Sequence, residues 1–137
     1  MSIYKPEIRF VDMDAMGHVN NAVYFTYLEQ ARIDYFKTLR ADHWDWIEEG
    51  VVVAKNELNY QLPVVYGDDV EIETKCSHLG SKSLTLTSTV YKIVQGNRIP
   101  CANGICVLVC FNHKTQLSHE IPSHWRVMLE NEISIIE

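Results

Sequence analysis

The chain contains no long hydrophobic run. None of its 137 residues belongs to a stretch of about 18 apolar residues, which is the length that a membrane-spanning helix requires. The N-terminal segment Met1–Glu7 is polar and lacks the apolar core of a signal peptide. We therefore expect no membrane association and a cytoplasmic location. Apolar residues at 47% and charged residues at 22% are typical of a globular protein. The length predicts one domain over residues 1–137 that needs no disulfide or metal for stability.

Basic residues are scarce. The chain has 12 Lys and Arg residues against 18 Asp and Glu residues, a formal net charge of −6. General nucleic-acid binding requires a basic surface, so this charge excludes nucleic acid as an expected partner. An anionic small molecule needs only a local basic patch and is not excluded.

Paired cysteines are also missing. Cys76, Cys101, Cys106 and Cys110 form no Cys-x-x-Cys motif, which excludes the usual zinc and thioredoxin-type sites. Three of the four lie in one apolar run, so we interpret them as buried, reduced thiols. No metal and no other cofactor is expected.

One long helix is predicted from about residue 21 to about residue 39, with Asn20 as its N-cap. The helical spacing is carried by Tyr24, Tyr27, Leu28, Ala31, Tyr35 and Leu39. Phe25, Ile33 and Phe36 widen the apolar surface beyond one stripe. A helix of this kind is expected to be covered on more than one side, by its own sheet and by a partner subunit.

The rest of the chain alternates with the period of strands. Residues 41–50 are predicted to form an irregular link anchored by Trp44 and Trp46. A strand follows, and Asn56 interrupts its apolar face. The apolar residues of that face are Val52, Ala54, Leu58, Tyr60 and Leu62. Turns at residues 66–69, 80–83 and 96–97 separate the later strands, and residues 98–111 form a nearly continuous apolar strand predicted to be central and buried on both faces. Residues 3–12 supply a first strand and residues 122–131 a short final helix. Short turns imply antiparallel neighbours. The expected fold class is therefore α+β, with a curved five-stranded antiparallel sheet wrapped around one long helix.

Polar residues crowd into the few positions just before the long helix. Such groups are costly to bury and unnecessary for a turn, so they predict a functional site. They are Asp12, Asp14, Gly17, His18, Asn20 and Asn21.

Two of these positions predict acyl-transfer chemistry. The Asp14 carboxylate could orient a water molecule or attack a carbonyl directly. Backbone N–H groups near Asn21 lack intrahelical partners and carry partial positive charge, so they could hold an oxyanion. Gly17 would allow a ligand to approach the backbone closely, and His18 could hold a water molecule or fix the loop.

Structural alternatives exist for each residue. Asp12 is expected to be a solvent-exposed strand end, and hydrogen bonding within the loop is as common a use of Asp14 as catalysis. Glu29 and Arg32, three residues apart on the helix, are expected to form a modest surface pair. The prediction of a site therefore depends on the joint pattern.

Two segments of the chain resemble one enzyme family. They are Arg9-Phe-Val-Asp12-Met-Asp14-Ala-Met-Gly17-His18-Val-Asn20-Asn21-Ala-Val-Tyr24-Phe-Thr-Tyr27-Leu-Glu29-Gln-Ala31-Arg32 and Leu58-Asn-Tyr60-Gln-Leu-Pro63-Val-Val-Tyr66-Gly67-Asp68. Both resemble the hotdog-fold acyl-CoA thioesterases of the 4-hydroxybenzoyl-CoA thioesterase type. The resemblance implies a hotdog fold, an acyl-CoA substrate, and a homodimer or a homotetramer built as a dimer of dimers, with active sites between subunits. The family's catalytic aspartate falls on Asp14, and its helix-start amide falls on the backbone of Asn21.

The resemblance also implies further site residues. Plant acyl-ACP thioesterases have a similar Asp-x-Asn-x-His run, in which Asp14 and His18 match but Met16 replaces the Asn, so His18 is assigned a supporting role. Tyr24, with Tyr27 and Phe25, would shape the acyl pocket, and Asn56 would reach the site from the partner subunit unless a bulge explains it. The phosphates of coenzyme A would lie near the turn with Ser81 and Lys82, or near Arg98.

The predicted function is hydrolysis of an acyl-CoA thioester to a carboxylic acid and CoA. The alternative is a non-hydrolytic acyl-CoA binding protein of the same fold. A hotdog dehydratase is disfavoured, because those enzymes present their catalytic His and acid in other motifs. The acyl group, the choice between CoA and acyl-carrier protein, and the role of Asp14 as base or nucleophile stay open at this stage.

Overall fold

Within the described part of the chain, a six-stranded sheet and two helices account for the regular secondary structure. The computed structural model describes residues 1–39 and 45–136. Its elements in chain order are β1 (Ser2–Tyr4), a 3₁₀ turn (Phe10–Asp12), α1 (Val23–Leu39), β2 (Gly50–Tyr60), β3 (Val70–Leu79), β4 (Ser83–Val94), β5 (Asn97–Asn112), β6 (Leu117–Ser118) and α2 (Ser123–Ile136).

The sheet is antiparallel throughout, in the order β1-β3-β4-β5-β2. Short turns join β3 to β4 and β4 to β5, and the second has positive φ at Gln95 (52°) and Gly96 (79°), as a tight two-residue hairpin requires. The two residues of β6 extend the sheet beside β5. The predicted α+β hotdog architecture is confirmed. The first strand is shorter than predicted, because only Ser2–Tyr4 pair with β3 and the predicted run to residue 12 ends in the 3₁₀ turn.

Two clusters of buried side chains fill the space between α1 and the sheet. Tyr24, Tyr27 and Ala31 pack in one cluster with residues of β3, β4 and β5. Tyr35 and Phe36 pack in the other, together with Trp125 of α2. Because both halves of α1 are covered by the sheet, the position of its N-terminus is fixed by the core.

Both helices differ from their predicted bounds. α1 begins at Val23 rather than at residue 21, because Asn20 first forms a turn in which its carbonyl accepts the Val23 N–H at 2.9 Å. α2 continues to Ile136, beyond the predicted residue 131. Its added turns are held to the core by Glu132, which accepts the Tyr35 hydroxyl at 2.5 Å.

A bulge in β2 overturns its predicted face. The register runs Val52↔Val109 and Val53↔Leu108 and then resumes at Lys55↔Val107, leaving Ala54 unpaired. One extra residue reverses the alternation of side chains. Val52 therefore does not share a face with Leu58 and Tyr60, as the sequence predicted.

Strand β5 is an interior strand between β4 and the edge strand β2, and only one of its faces is buried, whereas a central strand buried on both faces was predicted. Ala102, Gly104, Leu108 and Cys110 are buried on the side of α1, whereas the alternate residues are half-buried. A chain of this size covers only one side of its sheet, so the second face is left for solvent or for another subunit.

The predicted link before β2 is only partly described. Trp44 lies outside the described residues. Trp46 is 46% exposed. The thiols of Cys76, Cys101 and Cys110 are buried as predicted, and Cys106 is half-buried.

Candidate active site

The residues before α1 form a closed loop around Asp14. Met13 and Val19 pair as an isolated bridge, and the Asp14 N–H donates to the His18 carbonyl at 2.7 Å. Asp14 Oδ1 accepts the N–H groups of Met16 (2.9 Å) and His18 (3.3 Å). One carboxylate oxygen thus holds the loop, while Oδ2 takes part in none of these bonds.

Gly17 completes this loop with a φ of +77°. A side chain at this φ would be strained even in open space. Gly17 is exposed and does not line the cleft described below. The structure therefore gives its conformational freedom a role in the turn.

Asn20 organises the start of α1. Its side-chain Oδ1 accepts the Ala22 N–H at 2.9 Å, and its own N–H donates to the Asp12 carbonyl at 2.9 Å. Asn20 therefore stabilises the turn that leads into α1 and is not the helix N-cap that was predicted, because the helix begins only at Val23. The next residue, Asn21, accepts the Tyr60 hydroxyl at its carbonyl (2.6 Å), and its N–H has no hydrogen-bond acceptor among the described residues.

An open cleft of about 260 Å³ brings four predicted site residues together. Its polar end carries Asp14, His18 and Asn21, and Tyr24 and Tyr60 form an aromatic wall with ring centroids 5.1 Å apart. Burial raises the pKa of both Tyr24 and Tyr60, so each remains a neutral phenol at neutral pH. The full lining is Asp14, His18, Val19, Asn21, Tyr24, Tyr60, Gln61, Leu62 and Pro63.

Tyr60 and Gln61 belong to this cleft but were not assigned to the site from sequence. The sequence signal that could have found them was their place in the second family-like segment, directly before Pro63. The strand periodicity did not identify Tyr60 as a site residue, because it marked Tyr60 only as one of several apolar positions on one face.

Asn56, which was predicted to bind substrate, does not line this cleft within one chain. It lines a second, much narrower cavity with residues of α1 and of β5, including Arg32 and Cys106. Arg32 pairs with Glu29 at 3.7 Å, as predicted, but its side chain is only 15% exposed. It also donates to Cys106 Sγ at 3.7 Å, so it is not the surface group that the sequence suggested.

Ser81 and Lys82 are exposed in the turn between β3 and β4. The Ser81 carbonyl accepts the N–H of Ile121 (3.1 Å), just before α2, and the Lys82 carbonyl accepts the N–H of Cys110 in β5 (2.8 Å). Neither residue lines the Asp14 cleft within one chain.

Arg98, the other candidate for CoA phosphate, is surrounded by acids. Its guanidinium pairs with Glu73 at 3.0 Å and with Glu71 at 3.4 Å. It also lies 4.0 Å from the ring centroid of Tyr91. Its charge is therefore already compensated within the chain.

The expectation that Asp12 is an exposed strand end is wrong. Its side chain is 2% exposed and accepts four hydrogen bonds, from Arg9 N (3.0 Å), Nε (3.2 Å) and Nη2 (2.9 Å) and from the Tyr27 hydroxyl (2.6 Å). Burial acts to raise the pKa of Asp12, but the bonds from Tyr27 and Arg9 outweigh it and hold the pKa below the ordinary value. Burial, together with the bond to Asp12, raises the pKa of Tyr27.

Metal-binding clusters and membrane-spanning helices are both absent from residues 1–39 and 45–136. No group of three or more His, Cys, Asp or Glu side chains in that part of the chain is arranged to hold a metal ion. No helix of the same residues is long and apolar enough to cross a membrane.

Comparison with known proteins gives consistent matches over nearly the whole chain. The model of the thioesterase-like superfamily matches residues 8–129. The long-chain acyl-CoA thioesterase FadM of Escherichia coli is 28% identical over 130 residues, which cover 93% of this chain and 96% of FadM.

Solved structures agree with these sequence matches. A Thermus thermophilus thioesterase complexed with coenzyme A and Zn is 34% identical, has a TM-score of 0.81, and is aligned over 96% of this chain and 93% of its own. A 4-hydroxybenzoyl-CoA thioesterase complexed with 4-hydroxybenzoyl-CoA has a TM-score of 0.84 over 93% and 97% of the two chains. At 18% identity this last likeness shows the fold alone. The resemblance predicted from the two sequence segments is confirmed: the chain belongs to the thioesterase-like superfamily.

Proposed function

We propose that this protein hydrolyses acyl-CoA thioesters, with Asp14 as base or nucleophile and the Asn21 N–H as oxyanion donor. The observation that carries the proposal is the pairing, in one cleft, of a carboxylate oxygen outside the loop's hydrogen bonds with an N–H that has no acceptor among the described residues. Two relatives, a long-chain acyl-CoA thioesterase and a thioesterase bound to coenzyme A, support the same substrate class.

The reaction follows from the two groups. With the thioester carbonyl oxygen directed at the Asn21 N–H, the carbonyl carbon becomes more electrophilic. Asp14 then either accepts a proton from the water that attacks this carbon or attacks the carbon itself to form a mixed anhydride, which water hydrolyses. In both routes the C–S bond breaks, the CoA thiolate leaves and takes up a proton, and the acyl group departs as a carboxylate.

The positive end of α1 favours this chemistry. Negative charge that develops on the carbonyl oxygen would lie at the helix N-terminus, where the backbone dipoles stabilise it. One well-placed donor of this kind contributes about 3 kcal/mol to the stability of the transition state. His18, whose backbone is tied to Asp14, supports the loop and is available to hold water.

The remaining proposed substrate contacts depend on how the subunits assemble. We expect a homodimer or a dimer of dimers in the cytoplasm. Tyr24 would contact the acyl group, and Asn56 would approach the cleft of the partner subunit. Ser81 and Lys82 would meet the phosphates of CoA bound at a neighbouring subunit. The exposed turn and the long exposed strand β2 are consistent with these roles.

The test is an assay of free thiol released from short, long, branched and aromatic acyl-CoA esters. Asp14→Asn and Asp14→Ala should each lower kcat by at least about 10³-fold. An Asn side chain retains the oxygen that accepts the Met16 and His18 N–H groups, so Asp14→Asn should keep the thermal stability that Asp14→Ala loses.

Asp45→Asn is the matched control. Asp45 Oδ1 also accepts two backbone N–H groups of a turn, from Ile47 (2.9 Å) and Glu48 (3.2 Å), but it lies outside the cleft. This variant should keep wild-type kcat.

Near-normal hydrolysis by both Asp14 variants would contradict the role of Asp14. A thermal shift with CoA esters, without thiol release from any of them, would favour the non-hydrolytic binder.

A further inference from the structure

Asp12 lies two residues before the proposed catalytic Asp14 and is the most buried carboxylate of the loop. Its side chain is 2% exposed, and both of its oxygens are occupied. Oδ1 accepts Arg9 Nε and Nη2, and Oδ2 accepts the Arg9 N–H and the Tyr27 hydroxyl. A carboxylate buried in this way, with every oxygen bonded, is held in one orientation.

Asp12 connects the loop to α1 and to the turn that precedes it. Its side chain reaches Tyr27, which lies one turn after the helix start, at 2.6 Å. Its backbone carbonyl accepts the Asn20 N–H at 2.9 Å. Asp12 and Asn20 therefore form the base of the loop that carries Asp14, and the Asp12 side chain fixes that base against the helix.

Both proposed reacting groups depend on this base. Asp14 follows Asp12 by two residues on one side of the loop. The Asn21 N–H follows Asn20 directly on the other side, at the helix start. The distance between the carboxylate and the oxyanion donor is thus set by the place where the loop is fixed to α1.

Asp12 itself does not meet the substrate cleft. It lines a separate polar hollow of about 330 Å³, with Arg9, Tyr27 and residues of α1. The cleft that contains Asp14 has a different lining. An effect of Asp12 on the reaction must therefore act through the loop.

We infer that Asp12, held by Tyr27 and Arg9, is a positioning residue that sets the distance between Asp14 and the Asn21 N–H. This inference rests on the proposed function. A misplacement of about 1 Å between reacting groups can cost about 10²-fold in rate. The bond between Asp12 and Tyr27 should thus influence kcat much more than KM, because neither residue lines the cleft.

Tyr27→Phe is the primary variant, because it removes only the hydroxyl. It should lower kcat by about 10- to 100-fold with KM within about threefold of wild type. Asp12→Asn should have the same effect or a larger one. In an Asp14→Asn background, Tyr27→Phe should have no further effect on the residual rate, since the group that it positions is already lost.

Tyr35→Phe is the matched control. Tyr35 also donates to a carboxylate, Glu132, at 2.5 Å, and it lies two turns further along the same helix. This variant should lose thermal stability to a similar extent but keep wild-type kcat when it is assayed well below its Tm.

Hydrogen exchange of the loop provides a measurement that does not need activity. In Tyr27→Phe, the amides of Met16, His18 and Asn20 should exchange at least about tenfold faster than in wild type, and in Tyr35→Phe they should not. Equal losses of kcat in the two Tyr variants, or unchanged kcat and unchanged exchange in Tyr27→Phe, would overturn the inference. If wild-type protein released no thiol from any ester, the proposed function would fail, and the exchange comparison alone would decide whether Asp12 positions the loop.

Discussion

At the scale of single residues, the two aspartates of the loop have opposite environments. Asp12 is buried and fully bonded, whereas Asp14 is half-buried and keeps one oxygen outside the loop's bonds. The sequence marks Asp14 as a candidate, because a family motif falls on it. It could not assign Asp12, because the Tyr27 hydroxyl that compensates its burial belongs to another element, 15 residues further along the chain.

Asp12 should make the free energy of unfolding depend on pH in the acidic range. Its pKa is lower in the folded state than in the unfolded chain, so its ionisation stabilises the fold above about pH 4, the unfolded value, and this contribution is lost as the pH falls through the folded pKa. Wild-type protein should lose more unfolding free energy than Asp12→Asn between pH 6 and pH 3, as measured by urea denaturation. Parallel losses in the two proteins would contradict this assignment.

At the scale of elements, periodicity predicted α1 and the strands β2 to β5 but not their fine alignment, and it extended the short β1 to residue 12. The three consecutive valines at residues 51–53 do not reveal which residue is extra, so the bulge at Ala54 and the reversed face of β2 could not be read from the sequence. The end of α2 was missed for a similar reason. The Tyr35–Glu132 bond that holds its last turns is a contact between distant segments.

The loop before α1 should depend on the backbone of one glycine. Gly17→Ala meets no atom within 4 Å but must adopt a φ of +77°, so it should cost about 1 kcal/mol of stability and also lower kcat. Gly96→Ala is the control, because Gly96 has nearly the same φ of +79° and equally open surroundings in the β4–β5 turn. It should lose similar stability and keep wild-type kcat. The checks are chemical denaturation and thiol release, and a Gly17→Ala enzyme with full activity would show that the loop tolerates strain.

At the scale of the whole molecule, the two edges of the sheet differ. β1 covers one edge with only three residues, whereas β2 leaves 11 residues along the other. Long exposed edges are liabilities that proteins usually cover. Val52 (36% exposed) and Val53 (44% exposed) lie on this edge strand, and Val52 is opposite Val109 of the half-buried face of β5. These observations agree with the subunit association implied by the family resemblance.

If subunits associate through β2, a charge introduced on this strand should weaken the association. Val52→Asp should shift the protein towards the 15.8 kDa monomer, because a buried unpaired carboxylate opposes contact between subunits. Val94→Asp is the control, since Val94 is similarly exposed (44%) but lies at the far end of β4, beside the hairpin turn. Sedimentation velocity over a range of concentrations measures both. A monomeric wild-type protein, or equal behaviour of the two variants, would contradict an interface at β2.

The turn at Asn20 has an electronic consequence as well as a geometric one. The peptide unit that carries the Asn21 N–H has the Asn20 carbonyl at its other end, and this carbonyl accepts the Val23 N–H at 2.9 Å. Hydrogen bonds in series polarise one another, by about 10–30% per bond. The Val23 bond therefore withdraws electron density from the Asn21 amide and makes its hydrogen more acidic than that of an isolated peptide. The hydrogen bond that closes the turn before α1 thus strengthens the same amide that it holds in place.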